Sequence, residues 1–564
     1  MEYYAKSKKV QFTSERINEI KKNMKNIEEC LKENLTETDV EILNSSITDI
    51  AEKTEEKQKT LKEHHKDIVT CAEMFFLEYG EYFTEKEKKL VVEACRIHDL
   101  GKVNLVFQAM ICPKLAEKFH IDVRKTSQIP HGFLSAVTIS LDEFDDLSEL
   151  FSDKDFGPFI TAVYYHHDRE DHYNSPAIRK YAEKYYMKQI EEYLNRKIRK
   201  LNCSNLDDLL FRNNVYTGKY IPDSNAWKEY LLIKGLLNKF DYTVSAGYER
   251  AEIAPDLREK KLKKNIEVYL QNKELRPAQK FMMEHRNENL VVVAPTGSGK
   301  TEAALLWLNG EKGFYTLPLK VSSNAIYLRI KENYEYKDVA LLHSDAMAVY
   351  LREYNGNEDI GEKYERSKML SQPLTVCTVD QLFRFVYRAL GTEIFAATLK
   401  YSKLVLDEIQ AYEPRVIATI IYGLKMIQEM GGKFAIITAT FPPVLKYFME
   451  QYGLVEGKQY IFKDFTGKEY QVEKYPRHKV EIRHSEMNLD EIRLRGKNRK
   501  VLVICNTVSK AQKLYKKLEG ENVWLLHSKY IRRDRAFLER KIMGFSESGE
   551  SGIWITTQIV EASL

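Results

Sequence analysis

The sequence predicts a multidomain chain: an all-α part first, then α/β parts built on parallel sheets, the last of them incomplete. Three observations carry this. Residues 61–250 read as mostly helical and are dense in histidine; eight of the chain's thirteen lie between His64 and His172. After residue 275 the rhythm changes to short β-branched runs alternating with amphipathic stretches, the pattern of a parallel sheet wrapped by helices. The runs are "NLVVVAP", "GFYTLPL", "DVALLHS", "LTVCTV", "KLVLDE" and "KFAIITAT". A second series opens at "RKVLVICNT", continues with "NVWLLHS" and ends at "GIWITTQ".

The 564 residues suggest three or four domains, and 43% hydrophobic content is enough for several cores. Net charge is only +4, from 87 basic and 83 acidic side chains, so any phosphate-binding track must be local. Seven cysteines (30, 71, 95, 112, 203, 377 and 505) form no C-x-x-C pair and read as reduced core thiols of a cytoplasmic protein. The longest strongly apolar run, Val416 to Leu424, is far short of a membrane span, and no membrane partner is expected.

In chain order, Ile17, Ile20, Met24, Ile27 and Leu31 make one apolar stripe on a helix. Its bland reading is a helix docked on the next domain; a self-association coil is the other. Residues 256–275, "DLREKKLKKNIEVYLQNKEL", read as a charged connector helix.

"VVVAPTGSGKTEAAL" then places a glycine-rich loop between a strand and a helix, with Ala294 at the position of the usual first glycine. Backbone N–H groups of Thr296, Gly297, Ser298 and Gly299 can curl around phosphate, Lys300 can reach it, and Thr301 can ligate Mg²⁺. This is an ATP site in the making. Asp407 and Glu408 close a later strand; they suit a metal-bound water and a general base for the attacking water. Gln279, in "RPAQ", is placed to read an adenine edge, and Thr438 and Thr440 close the next strand in "TAT".

With "TLPLKVSSNAIYLR", "TVDQLF", "DEIQ", "LLHSKYIRRDR" and "TTQIVEASL", this series resembles the superfamily 2 helicases, with Gln410 where many members carry histidine. The resemblance implies RecA-like domains and nucleic-acid-stimulated ATP hydrolysis. It also implies coupling and nucleic-acid contacts at Thr438, Thr440, Thr557 and Gln558.

The histidine-rich part holds "ACRIHDLGK", "LKEHHKDIV", "IPHGFLSAV", "VYYHHDRE" and "NKFDYTVSAGYERAE". Imidazole and carboxylate together suit Mn²⁺, Fe²⁺, Co²⁺, Ni²⁺ or Zn²⁺ rather than Ca²⁺. The pattern resembles the HD-superfamily phosphohydrolases, with histidines enough for two divalent transition metals. An HD domain before this helicase series, "YYAKS" at the start included, resembles the HD nuclease–helicases of type I CRISPR interference.

By that resemblance His64, His98, Asp99 and Asp241 hold one metal, and His131, His166 and His167 the second, with Asp99 bridging. His65 beside His64 stays an alternative ligand. Lys102 either neutralises charge developing on the phosphorus or pairs with a local carboxylate. The resemblance further implies single-stranded DNA as substrate and ATP-driven 3′→5′ translocation. Its implied partner is the RNA-guided surveillance complex, Cascade. The expected domains are 1–255 (HD, with a helical insertion at 10–58), 256–475 (RecA-like) and 476–564 (partial RecA-like). Rival readings are an HD nucleotide phosphohydrolase fused to an RNA helicase, and an ATP-sensing DNA clamp whose HD site is structural.

In such helicases a later arginine-bearing segment reaches the γ-phosphate, and none follows Thr557 here. The expectation is therefore a truncated or split helicase that binds ATP but hydrolyses it slowly. A second polypeptide could supply the rest.

Overall fold

The computed structural model describes residues 3–5, 59–139, 153–167, 175–198, 201, 225–253, 261–270, 274–353, 360–470, 479–520 and 522–557. The stripe at residues 17–31, Cys30, Cys203 and Gln558 lie outside them.

The first part is helical, as its spacing predicts. Helix α1 (Leu61–Tyr79) and helix α2 (Glu85–Ile97) each begin with a capping box, Thr60–Glu63 and Thr84–Glu87, in which side chain and backbone satisfy each other's first-turn donors. Helices α3 (Leu105–Ile111), α4 (His131–Thr138), α5 (Asp153–Tyr164), α6 (Met187–Leu194) and α7 (Asn225–Ser245) follow. Helix α7 is buried along most of its length, and it packs against α1, α2 and α5. The start of the chain is tied in as well. Ala5 N–H donates to the Lys59 carbonyl at 3.0 Å and Leu61 N–H to the Tyr3 carbonyl at 2.8 Å, an antiparallel bridge of Tyr4 with Thr60.

Helix α8 (Pro277–Glu284) leads into a seven-stranded sheet of β1 (Leu290–Val293), β2 (Gly313–Leu317), β3 (Val339–Leu342), β4 (Leu374–Thr378), β5 (Lys403–Asp407), β6 (Lys433–Thr438) and β7 (Ile461–Asp464). The spatial order is β3-β4-β2-β5-β6-β1-β7, and every pairing is parallel. Buried on both faces, β1 to β6 read as largely apolar runs. Two more labelled helices matter to the sites: α9 (Lys300–Leu308) after β1, and α10 (Glu393–Lys400) before β5. The 256–275 stretch contributes a helix at Lys261–Tyr269 that sinks Leu262 and Ile266 into the core beside α9. A second, three-stranded parallel sheet has the order β8 (Lys500–Ile504), β10 (Gly552–Thr556), β9 (Val523–Leu526).

One continuous core runs from the helical part into one face of the seven-stranded sheet. Tyr401 joins the two, its ring 5.0 Å from that of Phe75 and 5.1 Å from that of Tyr79. Helices α7 and α10 meet where Gly235 lies; a Cβ there would sit 2.4 Å from the Glu393 carbonyl oxygen. Buried charge fastens the same seam. Lys234 Nζ and Tyr230 OH donate to Glu393 at 2.9 and 2.7 Å. Glu252 accepts from Lys239, Lys312 and Tyr401 at 2.8, 2.5 and 2.6 Å. Cys71, Cys95, Cys377 and Cys505 are buried free thiols, as expected of core cysteines. Among the described residues no helix is long and apolar enough to cross a membrane.

Candidate metal and nucleotide sites

Two helix ends and a tight turn build the first site. His98 closes α2, Asp99 follows it, and a 3₁₀ turn runs from Leu100 to Val103. The turn lies against α4 so closely that a Cβ on Gly101 would be 2.0 Å from the His131 carbonyl oxygen. Ser135 locks that approach: its Oγ accepts from Gly101 N–H at 2.8 Å and donates to the His131 carbonyl at 3.0 Å. Gln108 Nε2 donates to the carbonyls of Lys102 and Tyr4, at 2.8 and 2.9 Å, so the chain start braces the turn.

Around Asp99 converge all the predicted ligands. Asp99 Oδ2 lies 3.4 Å from Nε2 of both His64 and His98; Asp99 Oδ1 lies 3.1 Å from Nε2 of His131 and 3.5 Å from that of His166. Asp241, on α7, reaches His64 Nε2 at 3.2 Å, and His167 Nε2 faces His131 Nε2 at 2.7 Å. The geometry sorts into two groups able to hold an ion, His64–His98–Asp99 and Asp99–His131–His166–His167, sharing the one carboxylate.

Do these residues fit metals? His98 Nδ1 donates to the Cys95 carbonyl at 3.0 Å and His166 Nδ1 to the Val163 carbonyl at 2.6 Å. Each bond fixes the tautomer that leaves a lone pair on Nε2. The Nε2 atoms of His64, His98 and His166, with Asp99 Oδ1, are buried and have no hydrogen-bond partner. Buried polar groups are otherwise paired, so this set fits cations.

Electrostatics favour neutral imidazole at three of the candidate ligands, whereas at His98 burial is outweighed by the charges of Asp99 and Asp241, which raise the imidazole. Burial alone would raise the Asp99 carboxyl, but the charges of His98 and Lys102 and the close approach of the His131 and His166 imidazoles hold it well below the usual range. Burial pushes the His131 imidazole down to about 3, against the pull of Asp99, and also lowers His166 and His167. Neutral imidazole is the ligating form. Lys102 Nζ donates to Asp99 Oδ2 at 2.6 Å, so of its two readings the described geometry realises the carboxylate pair.

His65 takes a different place from His64. Its Nδ1 lies 3.3 Å from Tyr193 OH, and no described metal-competent group includes it.

The second site lies at the C-terminal ends of β1, β5 and β6, where ligands bind in open α/β sheets. Gly297 and Gly299 adopt left-handed φ values of 73° and 83°, which lets the loop after β1 curl. Lys300 Nζ pairs with Glu408 Oε1 at 2.6 Å. Glu408 is held further by Gln410 Nε2 and, at 3.3 Å, by Thr438 Oγ1. Its φ of 54° is uncommon outside glycine and marks a constrained position. Thr440 N–H donates to Thr438 Oγ1 at 3.2 Å.

Gln279 is buried with both ends of its amide engaged. Oε1 accepts from Arg276 N–H at 3.0 Å, and Nε2 donates to the Gly299 carbonyl at 3.3 Å. It grips the phosphate loop here; reading an adenine would require exchanging one of these bonds. Thr296 is exposed; Ser298 and Thr301 are partly buried. Thr557, buried after β10, lies in the second sheet's part of the chain, apart from these strands in sequence.

Sequence reasoning missed Tyr315. Its hydroxyl, fully buried on β2, donates to Asp407 Oδ2 at 2.7 Å and leaves Oδ1 without a partner. Only the parallel pairing of β2 with β5 brings these two together, and no spacing along the chain announces it. Burial pushes Asp407 up to about 6, with Glu408 adding to the rise and the Tyr315 bond opposing it. The tyrosine in "GFYTL" was the one available signal, because a buried tyrosine hydroxyl needs a partner.

Fold and sites together define a class: an HD-type metal centre joined to a P-loop helicase. Family profiles match in the same order, "Cas3, HD domain" over residues 51–223, "DEAD/DEAH box helicase" over 276–448 and "CRISPR-associated nuclease/helicase Cas3, C-terminal" over 497–564. The CRISPR-associated nuclease/helicase Cas3 of Methanothermobacter thermautotrophicus is 25% identical over 591 residues, covering 91% of this chain and 69% of that protein. The Escherichia coli CRISPR-associated endonuclease/helicase Cas3 is 25% identical over 336 residues, covering 49% of this chain and 37% of its own length. The crystal structure of T. fusca Cas3 shares the fold, with a TM-score of 0.61, 17% identity, and coverage of 90% of this chain and 68% of that one. A chain described as "CRISPR RNA-guided surveillance complex, pre-nicking" aligns at a TM-score of 0.51 with 18% identity, covering 90% of this chain and 67% of its own. The chain carries, in the same order, an HD domain and helicase domains that match those of the CRISPR-associated nuclease/helicases.

Proposed function

We propose that this chain cuts single-stranded DNA at a two-metal HD site and that its helicase domains bind Mg²⁺·ATP, whose hydrolysis in the complete helicase draws the strand 3′→5′ toward that site. The observation that carries the nuclease reading is the sharing of Asp99 between two buried ligand groups. His64, His98, Asp99 and Asp241 would hold one divalent transition metal, and Asp99, His131, His166 and His167 the other. When bound, such a pair supplies a water acidic enough to ionise near neutral pH and charge to stabilise both oxygens of an in-line displacement.

The protein's own contribution is placement. Asp99 is fixed by the turn that Ser135, Asn104 and Gln108 clamp, and Lys102 holds one of its oxygens. At the ATP site Lys300 exchanges Glu408 for phosphate, which frees Glu408 to take a proton from the attacking water. Tyr315 holds Asp407 Oδ2, which would leave Oδ1 to ligate Mg²⁺ when the ion binds.

The family relationship and the surveillance-complex neighbour support Cascade as the partner that hands over a displaced strand, sequence being read by guide pairing. The deciding experiment incubates circular single-stranded DNA with Mn²⁺, Fe²⁺, Co²⁺, Ni²⁺ or Zn²⁺, with and without ATP. Metal-dependent nicking without ATP is the expected result. Hydrolysis of free nucleotides with no cutting of the circle would replace this reading with the phosphohydrolase one.

A further inference from the structure

Beside the metal centre, on the outer side of α1 and α2, lies a groove of about 370 Å³ lined by His65, Lys66, Val69, Thr70, Glu73 and Arg96. We infer that this groove binds the phosphodiester backbone of the single strand next to the scissile position, with His65 the residue that links groove to metal centre. The inference rests on the nuclease reading above.

Three observations meet here. The first is charge. Lys66 and Arg96 are exposed on the groove, against the single carboxylate of Glu73. Among the described residues Arg96 pairs with Glu93 at 3.3 Å, a weak surface contact that a phosphate can displace. The second is His65 itself. Its Nε2 is buried and has no partner, while Nδ1 lies at 3.3 Å from the Tyr193 hydroxyl of α6. If the hydroxyl donates to Nδ1, Nε2 carries the proton and is a donor waiting for an acceptor. A buried donor without a partner is rare in a folded protein, and a phosphate oxygen arriving with substrate would satisfy it. The third is position. The His65 ring lies 5.9 Å from that of His98, in the first ligand group, so one side chain borders both groove and centre.

The roles divide accordingly. Lys66 and Arg96 bind the backbone as charges, without regard to base. Thr70 offers a hydroxyl on the same wall. His65 orients the phosphate nearest the metals through Nε2–H.

The test uses the full chain loaded with Mn²⁺, no ATP, and a fluorescent single-stranded oligothymidylate. Joint replacement K66Q/R96Q should raise KM for nicking about 5–10-fold, with kcat and bound metal unchanged. The slope of log(kcat/KM) against log salt should become shallower by about 1.4, since each single-strand phosphate contact contributes ~0.7. His65→Phe, which keeps the ring but removes Nε2, should lower kcat at least about tenfold with both metals retained, and His65→Gln should recover part of the loss. An unchanged KM and salt slope in K66Q/R96Q would overturn the groove. Loss of a metal equivalent in His65→Phe would make His65 a ligand and overturn its role. If the unaltered chain cuts nothing with any metal, the nuclease reading itself falls, and this inference with it.

Discussion

At the scale of single residues, Asp99 is the most exposed to test. It sits in both ligand groups, so Asp99→Ala should leave less than one metal equivalent per chain and almost no nicking, whereas His98→Ala touches one group only. Metal analysis after dialysis decides it; two equivalents retained in Asp99→Ala would refute a shared ligand. Asp407 gives a pH prediction. With its carboxyl pushed up to about 6, it is ionised above that value and protonated below it. Mg²⁺ competes for the ionised form, so affinity for Mg²⁺ in the presence of ATP should fall by about tenfold per pH unit below the pKa. Mg²⁺ titration of nucleotide binding at pH 5 and 7.5 measures it; equal affinities would contradict the raised value. That these histidines and aspartates gather in one place was legible because few other roles explain so many imidazoles in one helical region. What stayed hidden are the residues that hold them. Ser135, Gln108 and Tyr315 are ordinary by type and act only through contacts made across the fold.

At the scale of elements, the strands were legible wherever burial on both faces kept them apolar from end to end. β7 escaped because it is an edge strand, only partly buried, and ends in Lys463 and Asp464. The helix Lys261–Tyr269 was legible as a helix, but its charge hid the two residues that anchor it, Leu262 and Ile266. Close approach of elements is likewise invisible along the chain, and it yields a prediction. Gly101→Ala removes no ligand, yet its Cβ would overlap the His131 backbone, so metal content and nicking should both fall. Retention of both metals in a folded Gly101→Ala protein would show that the turn can yield. The seam of α7 and α10 gives another. Lys234→Ala removes the ammonium that pairs with the buried Glu393 carboxylate and should cost about 3–5 kcal/mol. Replacing both with Met and Leu should cost less. Urea unfolding of the three proteins compares them; a harmless Lys234→Ala would mean that water reaches Glu393.

At the scale of the molecule, composition suggests a boundary at 255/256, but the core does not stop there. Helix α7 carries the proposed metal ligand Asp241 on one side and the ammonium groups that enter the seam, Lys234 and Lys239, on another. The chemistry should still separate cleanly. Lys300→Ala should abolish ATP-dependent degradation while leaving metal-dependent nicking within about twofold, since Lys300 pairs with Glu408 at the candidate nucleotide site, on a different element from the proposed metal ligands. Equal loss of both activities in a folded protein would refute that.

The bridge of Tyr4 with Thr60 also has a practical side. Residues 5 and 59 are distant in sequence, but their backbones are one hydrogen bond apart, at 3.0 Å. A chain that leaves and returns through a single point offers a socket. Between those two residues a short turn, or a reporter domain whose own termini lie close together, can be spliced without stretching either strand of the bridge. Such a graft would sit two bonded contacts from the turn that bears Asp99, through Tyr4 and Gln108, and so could report on that turn from the outside.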